Sequence, residues 1–404
     1  MNIQLIKKYI ANFILKLISR LYKVKDNQIA FIPYGGMAKE MYDLLNYKSD
    51  NTLSLLNYIL NNTDNKYSLK LACDICQLEK LREIINQKYK DKDISVFPFF
   101  GDIPSRREKY EELMRSKYIF ASQGIEMPYK KKTQTVVFLG YFKPFKDDYQ
   151  FHHIELKDNF ENVFDKCVSP SLLYSNIISH TYNISFSKFI TLGFSRDDEL
   201  LNIKPCNELE RYIKNNVDYD YKKVFLYTPT HRDYESNLES QRSILGFEYD
   251  KKSLGDFLES NGIVIICKIH SNQNNKVINE SLPKGVILHN PNSSYGLCEL
   301  MQRADCLITD YTSVFFDFIL LNRPVIFNFY DFDKYKQSRG FSYDPIEPIL
   351  AGEVVYDEKS FYDKMQLIIS GVDQFKNQRE WVRDLMHANI DNASSERIYR
   401  KLLA

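Results

Sequence analysis

"ADCLITDYTSVFFDF" (Ala304–Phe318) runs from a short apolar stretch through a polar knot, Thr309-Asp310-Tyr311-Thr312-Ser313, into a second apolar stretch. The first stretch has strand length. The second continues through "ILL" and has helical length. Another apolar run, "PVIFNF" (324–329), follows it. Strand, helix, strand in that order predicts two parallel strands joined by a crossover. Runs of the same kind lie upstream: "KKVFLYTP" (222–229), "GIVIICKIH" (262–270) and "GVILHN" (285–290). An earlier series comprises "QIAFIP" (28–33), "YSLKLA" (67–72), "ISVFPF" (94–99), "KYIFAS" (117–122) and "QTVVFLG" (134–140). Helical patterns fill the gaps, as at 77–89 and 105–116, and 358–402 reads as helical. The chain is therefore expected to be α/β, with two doubly wound parallel-sheet domains facing a cleft. The polar, charged stretch 201–221 is read as the linker between a domain at 26–200 and one at 222–404. The last helices are allowed to cross back. In open α/β sheets ligands bind at the carboxyl ends of the strands, so the informative residues should follow strands.

A chain of 404 residues has room for two full cores. Apolar residues at 44% and charged residues at 26% indicate a globular protein rather than a disordered one. Lys and Arg number 54 against 53 Asp and Glu, so net charge argues for no particular partner. Aromatic and basic residues are abundant but form no nucleic-acid motif, and nucleic-acid binding is set aside. Seven scattered cysteines fit a reduced compartment better than a disulfide framework. Cys73 and Cys76 form a CxxC without the second pair that a zinc site needs.

Charge is uneven at the start. Residues 1–25 carry Lys7, Lys8, Lys16, Arg20, Lys23 and Lys25 and no acid. Ile3, Leu5, Ile6, Tyr9, Ile10, Phe13, Ile14, Leu17, Ile18 and Leu21 fall at helical spacing. An amphipathic helix at 1–25, lying in an anionic membrane surface, is the expectation; docking on the protein's own surface is the alternative. No apolar run reaches the ~18 residues of a membrane span, and Lys16 and Arg20 interrupt any signal-peptide core.

Four strand ends carry chemistry. "VFLYT" leads to Pro229, Thr230, His231, Arg232 and Asp233. "VIICK" leads to Ile269, His270, Ser271 and Asn272. "CLIT" leads to Asp310 and then Thr312 and Ser313, and "FITL" leads to Gly193, Ser195, Arg196, Asp197 and Asp198. Thr312 and Ser313 stand where a helix opens, so free backbone N–H groups and the positive end of the helix dipole favour an anion there. Ordinary N-capping by a hydroxyl residue is the plainer reading of those two positions. Arg196, Arg232, Lys268 and His270 at the other strand ends tip the balance to a pyrophosphate. Asp317, four residues after Ser313, lies on the same helix face; it suits either sugar or glycerol hydroxyls or a solvated surface.

These residues resemble the CDP-glycerol glycerophosphotransferases, the poly(glycerol phosphate) polymerases and primases of teichoic acid and capsule synthesis. The similarity runs from "KSDNTLSLLNYIL" (48–60) through "GFSRDDELL" (193–201), "LYTPTHRD" (226–233) and "KIHSN" (268–272) to "ITDYTSVFFDFILLNRPVIFNFYDFDKYKQSRGFSYD" (308–344). It implies a GT-B-like fold, monotopic membrane association at the cytoplasmic face, an acceptor-side first domain and a CDP-binding second one. Carried across by motif, the donor-binding set is Gly140, Arg196, Pro229, Thr230, Arg232, Lys268, Ile269, His270, Thr312, Ser313 and Asp317. His270 and Arg196 are the implied catalytic groups. One motif departs. The family's Trp-His-Gly, whose His deprotonates the acceptor, corresponds to "VVFLGYFKPFKDD" (136–148), where Leu139 stands in the His position. His152 and His153 are the substitute bases considered, with Asp147 and Asp148 weaker.

The implied reaction transfers glycerol phosphate, or a similar polyol phosphate, from CDP-glycerol to a hydroxyl of a lipid-linked or polysaccharide acceptor, and CMP leaves. Positioning and charge neutralisation are its main requirements. No tightly held metal or cofactor is expected, and a Mg²⁺ requirement is left open. The rival readings are a GT-B nucleotide-sugar glycosyltransferase and a non-catalytic, membrane-attached donor-binding subunit.

Overall fold

The computed structural model describes residues 10, 13–35, 49–103, 106–125, 127, 129–140, 143–145, 160–230, 244–269, 282–290 and 293–404. The chain forms two compact units. The first is Met1–Tyr141, His152–Glu199 and Asp391–Ala404; the second is Phe142–Phe151 and Leu200–Ile390.

The first unit is built on seven parallel strands: β1 (Lys25–Ile32), β2 (Ser68–Asp74), β3 (Ile94–Phe100), β4 (Ser116–Ala121), β5 (Thr135–Phe138), β6 (Lys166–Ser169) and β7 (Phe189–Thr191). Their order is β3-β2-β1-β4-β5-β6-β7. Strand β1 shows why both faces must be covered. Ile29 and Phe31 pack into one core with Leu53 and Leu71, whereas Ala30 and Ile32 pack into another with Phe97 and Phe164. Side chains alternate across a strand, and a strand whose second half, Ile29–Ile32, is apolar at consecutive positions therefore needs cover on both sides.

The second unit has β8 (Lys223–Thr228), β9 (Ile263–Cys267), β10 (Val286–Leu288), β11 (Cys306–Thr309), β12 (Val325–Asn328) and β13 (Glu353–Val355), in the order β10-β9-β8-β11-β12-β13. Every residue of β9 is buried. In both sheets the order reverses once, between β1 and β4 and between β8 and β11. Those are the switch points where doubly wound sheets hold their ligands.

Three features differ from the reading of the sequence. The stretch 201–221 is not a plain linker: it holds the helix Asn207–Asn216, with Leu209 and Ile213 buried. A cut at 200 also misses Phe142–Phe151, which belongs to the second unit. The reason is Phe145, whose ring lies 5.5 Å from that of Phe316, 6.1 Å from that of Phe315 and 6.0 Å from that of Phe341. Lastly, the described part of the N-terminal segment is not wholly turned outward. Residues 13–19 are helical, and Leu15, Ser19 and Tyr22 are buried in the first unit. Ile10, Phe13, Ile14, Leu17 and Leu21 are exposed, Leu21 by 84%. Among the described residues no helix is long and apolar enough to cross a membrane.

Candidate functional site

In the second unit the site grows from the β8–β11 switch point. Thr228 and Thr309 are register partners, and the Thr309 hydroxyl donates to the Thr228 carbonyl at 3.1 Å. One residue further, the Asp310 carboxylate accepts from the Thr230 backbone N–H at 2.9 Å, from the Thr230 hydroxyl at 2.7 Å and from the Tyr311 N–H at 2.6 Å. Both Asp310 and Thr230 are buried. The knot's carboxylate thus ties the Pro229–Thr230 turn to the end of β11. Tyr311 points into aromatic packing, stacked 3.8 Å from Tyr335, with its hydroxyl donating to Asp331 at 2.9 Å. Thr312 and Ser313 are the half-buried part of the knot.

The helix they open is shorter than its sequence suggested. It spans only Val314–Phe318 and passes into a 3₁₀ turn, Ile319–Leu321. Five residues sum to a small dipole, so the helix adds little field of its own at this point. Ser313 makes no capping bond through its side chain, and Val314 N–H approaches the Thr312 hydroxyl at 3.4 Å.

Asp317 is neither solvated nor open. It is 8% exposed, and its carboxylate lies 2.5 Å from Lys143 Nζ, which is fully buried. Two residues on, Phe145 fills the aromatic pocket of the same helix, and its carbonyl accepts from Ser342 N–H at 3.1 Å. Lys143 was not singled out from sequence.

Lys268 follows β9, and its backbone N–H donates to the Tyr227 carbonyl at 2.8 Å. Ile269 beside it is buried. At the end of β10, burial first and the Lys268 cation second push the His289 imidazole down to about 4. His289 is therefore neutral at physiological pH.

Gly140 and Arg196 lie in the first unit. Gly140 has φ +67°, and a Cβ on it would stand 2.5 Å from the Tyr174 hydroxyl. Leu139 is fully buried in the core cluster that holds Ile29, Phe31 and Leu53. The position read as the missing base is a core position in this chain. Arg196 is 9% exposed, with its guanidinium 5.4 Å from the Phe194 ring. Its backbone N–H donates to Asn51 Oδ1 at 3.2 Å, and Asn51 Nδ2 donates to the carbonyls of Leu139 at 3.1 Å and Gly140 at 2.7 Å. Asn51 also escaped the sequence reading, since a polar residue at a helix start looks like an ordinary cap. Asp50 beside it is the cap: its buried carboxylate accepts from Thr52 and Leu53 N–H at 2.8 and 3.1 Å. Burial raises its pKa against the hydrogen bonds that lower it.

Asp198 accepts from Ser394 and Ser395 N–H at 2.8 and 2.7 Å, so its carboxylate caps a helix. Among the described residues no group of three His, Cys, Asp or Glu side chains is placed to hold a metal. Cys73 is buried, which pushes its thiol up to about 12, and Cys76 is exposed. His152, His153, Arg232 and His270 lie outside the described residues.

Residues 88–404 match the family described as CDP-Glycerol:Poly(glycerophosphate) glycerophosphotransferase. A teichoic acid glycerol-phosphate transferase of Staphylococcus aureus (strain NCTC 8325 / PS 47) is 29% identical over 58% of this chain and 59% of its own. A teichoic acid glycerol-phosphate primase of Bacillus subtilis (strain 168) is 32% identical over 48% of this chain and 46% of its own. The aligned parts thus span about half the length of these relatives. The solved wall teichoic acid polymerase TagF superposes with a TM-score of 0.72 at 20% identity, covering 99% of this chain and 98% of that one. A UDP-N-acetylglucosamine 2-epimerase gives 0.54 at 12% identity over 95% of this chain and 96% of that one. These likenesses show a GT-B-like fold.

Proposed function

The chain belongs to the CDP-Glycerol:Poly(glycerophosphate) glycerophosphotransferase family, and on that premise we propose that it moves a glycerol phosphate unit from CDP-glycerol to an acceptor hydroxyl in teichoic acid synthesis. The acceptor oxygen attacks the β-phosphorus. A P–O bond forms there, the bond to the α-phosphate oxygen breaks, CMP leaves with that electron pair, and the hydroxyl proton passes to a base. The observation that carries this reading is the meeting of Thr230, Lys268, Thr312 and Ser313 at neighbouring strand ends around the β8–β11 switch point. Hydroxyl donors and a cation suit a pyrophosphate, and neutralising the leaving CMP is the larger part of catalysis in phosphoryl transfer. Arg232 and His270 complete the donor set in this proposal. With Leu139 in the core, the base is assigned to His152 or His153, whose unperturbed pKa of ~6.5 suits proton transfer near neutrality.

The exposed stripe Ile10, Phe13, Ile14, Leu17 and Leu21 supports a peripheral seat on the cytoplasmic membrane surface, where a lipid-linked acceptor would be met. Lys16 and Arg20, exposed on the same segment, suit anionic head groups.

The test is release of CMP from CDP-glycerol, with CDP-ribitol and UDP-sugars in parallel and with EDTA in a matched set. Release from CDP-glycerol alone is the expected result. UDP release would identify a glycosyltransferase instead, and binding without release would identify a donor-binding subunit. Ser313→Ala is expected to weaken CDP-glycerol binding about tenfold, the worth of one hydrogen bond to a charged group.

A further inference from the structure

Gly140 and Arg196 stand on two strand ends separated in the sheet by β6. One buried side chain joins them. Asn51 gives both amide hydrogens to the carbonyls of Leu139 and Gly140 and takes the Arg196 N–H on its oxygen. That Arg196 N–H lies in the first turn of the helix Ser195–Leu201, where backbone donors have no partner within the helix. The contacts then close into a ring. The Tyr174 hydroxyl occupies the space a Cβ on Gly140 would take, the Tyr174 ring meets Phe194 edge-on at 5.2 Å, and the Phe194 ring lies under the Arg196 guanidinium. Asn51 is held in turn. It is 1% exposed and follows Asp50, whose carboxylate also accepts from Ser122 at the end of β4 and from Tyr34 after β1.

We infer that Asn51 is a positioning residue for the transfer reaction: it sets Arg196 against the Gly140 turn and acts through Arg196. The inference rests on the reading of Arg196 as a donor contact. An amide is the side chain that fits, because it alone offers two donors to adjacent carbonyls and one acceptor to an N–H in so small a volume. Aspartate at this position keeps the acceptor and loses both donors.

The experiment is a double-mutant cycle of Asn51→Ala and Arg196→Ala in the full chain, read as kcat and KM for CDP-glycerol, with hydrogen–deuterium exchange of the peptides covering Gly140 and Arg196. Asn51→Ala is expected to lower kcat/KM about tenfold, chiefly through KM, and to cost less than about twofold once Arg196 is alanine. Exchange should quicken in both peptides of the single variant. Asn51→Asp is the second variant, should the alanine form fold poorly. Its deficit should shrink as pH falls, because a protonated carboxyl regains one donor. Losses that multiply in the double variant, or unchanged exchange at Arg196, overturn the inference. A wild type that releases no CMP overturns the proposed function and the catalytic part of this inference with it, and the exchange arm then decides whether Asn51 fixes Arg196 against the Gly140 turn.

Discussion

Lys143 gives up its water entirely to sit 2.5 Å from Asp317. Removing one partner of a buried pair costs far more than removing both, because the remaining charge loses its counter-ion in a low dielectric. Lys143→Met is therefore expected to destabilise the protein by about 3–5 kcal/mol. Lys143→Met with Asp317→Leu should recover most of that loss, and urea unfolding measures both. Leu139 makes the opposite point. Restoring the family's imidazole by Leu139→His would bury a polar ring among Ile29, Phe31 and Leu53. About 2 kcal/mol or more of stability should be lost, with no gain in CMP release. At this scale the sequence was partly legible. The strand-end residues Thr230, Lys268, Thr312 and Ser313 were readable because apolar runs stop at them. Lys143, Asn51 and the Asp310 tie were not, since each acts on a residue from 80 to 174 positions away along the chain.

The helix at 13–19 shows what periodicity can and cannot decide. Its apolar positions were visible, yet nothing in their spacing says which face the protein keeps. Leu15 and Tyr22 go inward and Phe13, Leu17 and Leu21 outward. Deleting 1–25 would cut into the core and into β1, so Phe13→Gln with Leu17→Gln and Leu21→Gln is the cleaner test. The triple variant should keep its thermal stability and bind anionic vesicles about tenfold or more weakly in a pelleting assay. The end of β10 yields a pH prediction. The folded state holds the His289 proton only below about 4, while the unfolded chain takes it up near 6.5. Stability present above pH 6.5 is thus lost as pH falls through that window, on the order of 3 kcal/mol. His289→Gln should flatten the slope of unfolding free energy between pH 7 and 4. Strands buried on both faces were easy to find, whereas β6 (KCVS) and β13 (EVV) each open on a charged residue and hold only two apolar ones, so they do not rise above their surroundings.

Across the whole molecule, two sheets with the same order of winding were foreseeable from the alternation of strands and helices. A return of the last helices was allowed for, but the assignment of Phe142–Phe151 to the second unit was not, because it depends on where Phe145 packs. The segment Asp391–Ala404 belongs to the first unit. Ile398 is buried against Ile29 and Phe31, the Leu403 carbonyl accepts from the Tyr67 hydroxyl at 2.8 Å, and Asp198 caps the helix Ser394–Leu402. Removing 391–404 should lower the melting temperature by several degrees, since burying Ile398 alone is worth about 1.5–3 kcal/mol. The order of translation gives this return crossing a further meaning. A ribosome delivers the first unit's seven strands early and withholds its closing helix until the second unit has been made. The first unit must then wait, with the patch around Ile29 and Tyr67 uncovered, through the synthesis of nearly 200 residues. Nascent chains stalled before position 391 should therefore stay protease-sensitive in their N-terminal half and be prime clients for chaperones.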